Sequence, residues 1–224
     1  MKPKVIVILR HAESLEDVDD NAYSLISDKD MPLTDKGVRQ AEVIGKELRY
    51  LFSNTSAASF ILTPITRVIQ TAETIIKEFE PKIHCSVIAD PLLMKQNWGS
   101  ITVTNKLEID RERYEAGVLR YHFRDGESGP ELLARFALFI KNFWTRVEDP
   151  SFPDLAVFIT NGFGMRLLLM TIFNWSEEYF ENLAHPKHCE FKTLELQSDD
   201  TYKLREGMRI VDHTSNPNFV RRKT

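Results

Sequence analysis

Arg10 and His11 stand side by side directly after the apolar run Val5 to Leu9. A neutral imidazole is a nucleophile, and a guanidinium beside it disfavours the imidazolium form and keeps the ring neutral. The guanidinium fork also matches the oxygens of a phosphate bidentately. An Arg-His pair at the end of a buried strand is therefore suited to taking and holding a phosphoryl group. Taken alone, the dipeptide reads more simply as a surface histidine at a strand end. Its weight comes from motifs further along the chain.

The elements that must position the pair are those of an α/β fold, because short apolar runs alternate with helical periodicity. Lys4 to Leu9, apolar and β-branched, is a central strand covered on both faces. In an open α/β sheet ligands bind beyond the carboxyl ends of the strands, where Arg10 and His11 fall. A polar, Asp-rich stretch runs from Glu13 to Met31. Thr34 caps a helix to about Phe52, with the stripe Val38, Ala41, Ile44, Leu48 and Leu51. Ala58 to Leu62 is a second strand. Thr63-Pro64 then opens a helix, with proline in its first turn. Cys85 to Ile88 is a third strand. The irregular segment Asp90 to Asp125 reads as a cap over the carboxyl ends of the strands. Ser128 and Glu131 form a capping box for a helix whose Leu132, Phe136, Phe139 and Phe143 face the core. Leu155 to Thr160 is a buried strand running into Asn161-Gly162 and an apolar helix. Ser176 caps a further helix, and Phe191 to Leu196 with Tyr202 to Leu204 form a closing hairpin. The expected architecture is one domain over 1–224, a three-layer α/β/α fold with a mainly parallel sheet. It carries a small cap insertion at about 90–126 and a basic tail at 214–224.

Five stretches occur in order. They are Leu9-Arg-His-Ala-Glu-Ser14, Pro32-Leu-Thr-Asp-Lys-Gly37 with Gln40-Ala41, Thr63-Pro64 with Arg67 and Gln70-Thr-Ala-Glu73, Gly126-Glu-Ser128, and Ile159-Thr-Asn-Gly162. Together they resemble the histidine phosphatase superfamily, the phosphoglycerate-mutase-like fold, over residues 4 to 196. The resemblance implies a phosphohistidine mechanism in which His11 matches the residue that takes the phosphoryl group. Arg10 and Arg67 match the two arginines that clamp it, and Arg67 falls in a first helical turn, where free N–H groups favour anions. Ser14 is similar to a family residue near the substrate phosphate, or else is a loop hydroxyl bonded to its own backbone. Gly37, Gln40, Gln70, Thr71 and Ala72 read as structural. No cofactor and no metal are expected. His185, His188 and Cys189 have metal-like composition, but nothing at fitting spacing completes a site, and they read as loop residues.

The sequence departs from the family at four points. Asn161 stands in place of the second histidine, in a Thr-His-Gly turn. Its amide can still donate a hydrogen bond to a phosphoryl oxygen but cannot be cationic. Loss of one preorganised donor lowers turnover by about 10²–10³. Lys95 stands four residues before Gly99, where the family carries a general-acid Glu. With an ordinary pKa near ~10.4, lysine is poorly matched to that task, and it adds a third positive charge or faces solvent. Asp17 replaces an Asn near the phosphate and would repel it unless Lys95 or another cation pairs with it, or it turns to solvent. Ala12 replaces a common Gly and carries little weight. Glu13, Asp17 and Glu127 remain as substitute acids. Two independent changes at acid-base positions favour a naturally degenerate site over an engineered Asn161.

Composition excludes other classes. The chain has 224 residues, 42% hydrophobic and 28% charged, and buries roughly 70% of its unfolded surface. Its longest apolar runs are far short of a membrane span. A net charge of −4 argues against nucleic acid as a partner. Cys85 and Cys189 allow one disulfide but are expected as two buried free thiols, and residues 1–9 lack the apolar core of a signal peptide, so a reducing, cytoplasmic protein is expected. The expected partner is a phosphorylated small molecule or phosphoprotein. Three function readings result, in this order: a pseudophosphatase that binds phosphate around Arg10, His11, Arg67 and Asn161 but turns over poorly; a working phosphomonoesterase with an unusual acid; and a scaffold subunit with a vestigial pocket. Ser14, Asp17, Lys95 and Glu127 are the candidate substrate-binding residues.

Overall fold

Six strands form one sheet: β1 (Val5–Arg10), β2 (Ala57–Leu62), β3 (His84–Ala89), β4 (Leu155–Thr160), β5 (Phe191–Leu196) and β6 (Tyr202–Leu204). The computed structural model describes residues 2–19, 21–100 and 106–211. The expected basic tail at 214–224, and residues 101–105 of the cap, lie outside the described residues. The sheet order is β3-β2-β4-β1-β5-β6. The first four strands are mutually parallel, while β5 runs antiparallel to β1 and β6 antiparallel to β5. Seven α-helices are described: α1 (Ala22–Leu25), α2 (Asp35–Leu51), α3 (Thr66–Phe79), α4 (Lys106–Ala116), α5 (Gly129–Arg146), α6 (Gly162–Phe173) and α7 (Glu177–Glu181).

The alternation of side chains along the central strands divides the core into two layers. Ile6, Ile8, Ile61, Ala156 and Phe158 face α5 and α6, where they meet Leu132, Phe136, Phe139, Phe143 and Leu168. Val7, Leu9, Phe60, Leu62, Val157 and Ile159 face α2 and α3, where they meet Ile44, Leu48, Val68, Ile75 and Phe79. Each of these Val, Leu, Ile and Phe side chains contributes about 1.5–3 kcal/mol on burial, and Phe143 packs edge-on to Phe158 at 4.9 Å between ring centroids. The architecture is the three-layer α/β/α fold read from the sequence. No helix among the described residues is long and apolar enough to cross a membrane.

Two local readings need correction. Pro64 is not in the first turn of α3: Ile65 is the N-cap and Thr66 the first helical residue, so Pro64 shapes the approach to the helix. The cap contains a helix, α4, and the Asp-rich stretch contains short helical turns at Leu15–Asp17, α1 and Asp28–Asp30. The sequence of α4, Lys-Leu-Glu-Ile-Asp-Arg-Glu-Arg-Tyr-Glu-Ala, is polar nearly all round and gives no core-facing stripe to read.

Candidate phosphoryl site

The register of β1 on β4 pairs Arg10 with Thr160, so His11 and Asn161 leave neighbouring strand ends. The His11 N–H donates to the Thr160 carbonyl at 2.9 Å. The His11 side chain is buried, with 2% exposure. Its Nδ1 lies 2.7 Å from the Ala12 carbonyl oxygen. A carbonyl only accepts, so Nδ1 carries the proton and Nε2 is left bare. Burial, then the Arg67 charge and more weakly Arg10, hold the His11 pKa well below its ordinary 6.5. The ring is neutral at physiological pH.

The residues read as structural hold this loop. The Ala12 N–H donates to Thr71 Oγ1 at 3.1 Å, and the Glu13 N–H to Gln40 Oε1 at 2.9 Å. The Leu33 N–H donates to Gln70 Oε1 at 2.8 Å. A Cβ at Gly37 would lie 2.0 Å from the Glu13 carbonyl oxygen, so α2 rests directly on the loop. Asn161 caps α6, its Oδ1 accepting the Gly164 N–H at 2.8 Å. Its amide NH₂ is the part able to meet an anion.

Arg67 is fully buried. Its guanidinium donates to the Asp28 carbonyl at 2.6 Å and to Asp28 Oδ1 at 3.1 Å, and its Nε lies 3.4 Å from Glu16 Oε1. Arg10 donates to the Pro186 carbonyl at 2.7 Å and lies 3.5 Å from Asp17 Oδ1. Burial lowers the Arg10 pKa, partly offset by Asp17 and Glu16. The buried Nε of each arginine has no hydrogen-bond partner among the described residues.

Lys95 turns toward the same carboxylate as Arg67 and is only partly exposed. Its Nζ donates to Asp28 Oδ1 at 2.9 Å, lies 3.9 Å from Glu16, and sits 5.3 Å from the centroid of the Trp98 ring. The partner of Lys95 is thus Asp28 and not Asp17. Asp17 accepts from Ser14 Oγ and Ser14 N, each at 2.8 Å, and lies 3.0 Å from His188 Nε2. The Ser14 hydroxyl is accordingly bonded to a neighbouring side chain and not to its own backbone. Burial alone would raise the Asp17 carboxyl, but the hydrogen bonds from His188 and Ser14 outweigh it and hold the group ionised. Burial alone would likewise raise the Asp28 pKa, but the Lys95 and Arg67 charges outweigh it and lower the group from 3.8 to about 2. Glu13 is held low chiefly by Lys36 and also by Thr34. Glu127 is engaged bidentately by Arg135 at 2.9 and 2.7 Å, and Arg135 also donates to the Leu92 and Met94 carbonyls. Glu127 therefore anchors the segment that carries Lys95.

Sequence reasoning missed Glu16, Asp28 and two histidines. His185 Nδ1 lies 3.2 Å from Arg10 Nη1, and His188 Nε2 lies 2.6 Å from Arg10 Nη2. Burial and then the Arg10 charge push His185 down to about 4. The loop before β5 brings both rings here because β5 runs antiparallel to β1, pairing Leu9 with Phe191. That pairing was the only signal that could have placed them.

A neutral, buried imidazole with a bare Nε2, flanked by two guanidinium groups and a helix N-terminus, can accept a phosphoryl group by in-line transfer. Known proteins of similar sequence and structure identify the family. The family model of the histidine phosphatase superfamily (branch 1) matches residues 6–206. The phosphoglycerate mutase-like protein AT74H of Arabidopsis thaliana is 30% identical over 217 residues, covering 90% of this chain and 77% of that protein. The broad-range acid phosphatase DET1 of Saccharomyces cerevisiae is 26% identical over 121 residues, covering 52% of this chain and 36% of that protein. Among solved structures, a mycobacterial glucosyl-3-phosphoglycerate phosphatase in complex with VO3 superposes with a TM-score of 0.69 at 16% identity, covering 91% of this chain and 98% of that one. The order of motifs, the sheet and these matches lead to one conclusion: the chain belongs to the histidine phosphatase superfamily.

Proposed function

We propose that the protein binds the phosphoryl group of a phosphorylated small molecule at His11, between Arg10 and Arg67, and hydrolyses alkyl phosphate esters feebly for want of a general acid. The observation that carries this reading is the pairing of Lys95 with Asp28 at 2.9 Å. The position expected to protonate the leaving group holds an ammonium, and that ammonium keeps the nearest carboxylate ionised. The substitute acids read from the sequence do not fill the gap. Glu13 and Asp17 are held low by their partners, and Glu127 is tied to Arg135. In this reading His11 Nε2 attacks phosphorus, the P–O bond to the leaving group breaks, and water later takes the phosphoryl group from the ring. Arg10 and Arg67 offset charge on the equatorial oxygens. Leaving groups such as para-nitrophenolate need no proton and should still depart.

The test compares para-nitrophenyl phosphate with glycerol phosphate, using His11→Ala as the control. Slow release of nitrophenol that disappears in His11→Ala, with glycerol phosphate slower by a further 10²-fold or more, is the expected result. Brisk cleavage of glycerol phosphate that His11→Ala stops would establish the second reading, a working phosphomonoesterase. The activities for which the yeast and mycobacterial phosphatases are named favour that alternative.

A further inference from the structure

We propose that His188 supplies the second imidazole of the phosphoryl site, donating a hydrogen bond from Nε2 to the transferring group in place of the histidine that Asn161 lacks. The proposal rests on the reading of His11 as the phosphoryl acceptor. Three observations carry it.

The first is position. The His188 ring lies 6.0 Å from the His11 ring between centroids, inclined at 42°, and its Nε2 lies 2.6 Å from Arg10 Nη2. It stands beside the guanidinium that grips the phosphoryl oxygens. The side chain is 20% exposed and therefore open to a ligand.

The second is a hydrogen-bond conflict. His188 Nε2 is 2.6 Å from an Arg10 N–H, which can only donate, and 3.0 Å from Asp17 Oδ1, which being ionised can only accept. One ring nitrogen cannot serve both. If Nε2 carries a proton it bonds Asp17 and opposes Arg10; if bare, it bonds Arg10 and opposes Asp17. A phosphoryl group entering between them resolves the conflict, since its oxygens accept from Arg10 and from a protonated Nε2 together. The unpartnered Nε of Arg10 points to the same missing acceptor.

The third is the backbone that presents the ring. Lys187 to Glu190 form a turn closed by the Glu190 N–H to the Lys187 carbonyl at 3.0 Å. In this turn Cys189 takes φ 57°, a left-handed conformation that glycine adopts more readily. The turn is stitched to the nucleophile strand by the Cys189 N–H to the Arg10 carbonyl at 3.2 Å and the Arg10 N–H to the Glu190 carbonyl at 3.0 Å. Strain of this kind persists where the surroundings over-determine it, commonly at functional sites. His185, whose ring abuts Gly162 and Arg10, is held neutral by burial and buttresses the other side of the guanidinium.

The test is orthovanadate binding by calorimetry, with Asn161→His made in two backgrounds. Wild type should bind vanadate, and His188→Ala should bind it at least tenfold more weakly while His188→Gln, which keeps an N–H donor, loses less. Asn161→His should add less than twofold to wild type but restore most of the loss in His188→Ala. Equal vanadate affinity in wild type and His188→Ala overturns the proposal, as does the same gain from Asn161→His in both backgrounds. In the unaltered protein, the His188 ring nitrogens should shift in ¹⁵N spectra when vanadate is added. Unmoved signals on vanadate binding refute the proposal without any variant. Failure of wild type to bind vanadate at all overturns the phosphoryl-site reading as well, which separates the two.

Discussion

In the proposed site Asp28 occupies the clamp that a phosphoryl group would need, so removing its charge should strengthen oxyanion binding. Its carboxylate lies 2.9 Å from Lys95 Nζ and 3.1 Å from Arg67 Nη2, with the side chain 36% exposed. Lowering its pKa from 3.8 to about 2 corresponds to roughly 2 kcal/mol shared between Lys95 and Arg67. Solvent reaches this carboxylate, and screening cuts the figure to roughly 1 kcal/mol. An anion that takes these cations must offset that interaction. Asp28→Asn should therefore bind inorganic phosphate up to about fivefold more tightly. Because the folded pKa is depressed, the pairing is fully present above the ordinary 3.8 and is lost as pH falls through about 2. The gain from Asp28→Asn should accordingly be the same at every pH between about 5 and 8. Calorimetric titration with phosphate at low salt measures it. Equal affinities, or weaker binding by Asp28→Asn, would refute the view that Asp28 competes for the clamp.

Three further outcomes are expected. Arg67→Ala should abolish measurable phosphate binding. It should also lower the melting temperature by several degrees, because it removes the buried guanidinium paired with Glu16 and Asp28; calorimetry and a thermal scan check the two effects. Gly37→Ala should destabilise by about 1–3 kcal/mol in urea titration, since the new methyl would sit 2.0 Å from the Glu13 carbonyl oxygen and displace backbone, not a flexible side chain. Lys95→Glu should raise glycerol phosphate hydrolysis by about 10²-fold or more while changing para-nitrophenyl phosphate hydrolysis less than tenfold; equal effects on the two substrates would show that leaving-group protonation is not what the wild type lacks.

The parts of the site that were legible in the sequence lie on regular elements. Val5 to Leu9 and Leu155 to Thr160 read as buried strands because nothing polar interrupts them, and their ends fixed His11 and Asn161 as neighbours once the strands paired. Thr34 and Ser128 announced α2 and α5 through side-chain caps that the structure contains. Glu16 and Asp28 were illegible because the Asp-rich stretch has no periodicity, and beyond Glu13 and Asp17, which the resemblance marked, its acidic residues read alike as solvated. His185 and His188 were illegible for another reason. Their loop is far from His11 in the chain, and only the antiparallel pairing of β5 with β1 carries it to the Arg10 end of the sheet. A hairpin is readable from its own strands, but the strand it joins, and in which direction, is a tertiary fact.

On the proposed reading, lysine in place of the family's glutamate at position 95 alters two properties of the site at once. A glutamate there would stand beside Asp28 and Glu16, and like charges held together resist joint ionisation, which raises one pKa of the set toward the range of a useful acid. Lysine removes the carboxyl and inverts the field on its neighbour, which is why Asp28 falls to about 2 when burial alone would have raised it. The same Asp28 oxygen meets both Lys95 and Arg67, at 2.9 and 3.1 Å, so on the proposed reading the missing acid and the occupied clamp involve one carboxylate. Lys95→Glu should then do more than restore a proton donor. It should free Asp28 from its ammonium partner and couple the carboxylates, so that hydrolysis of alkyl phosphates acquires an alkaline limb set by the macroscopic titration of the group and not by residue 95 alone. Asp28→Asn in the Lys95→Glu background should move that limb to lower pH. A limb that stays where it is would mean the new carboxyl titrates independently, and that Lys95 acts on Asp28 in the wild type without the two sharing one electrostatic unit.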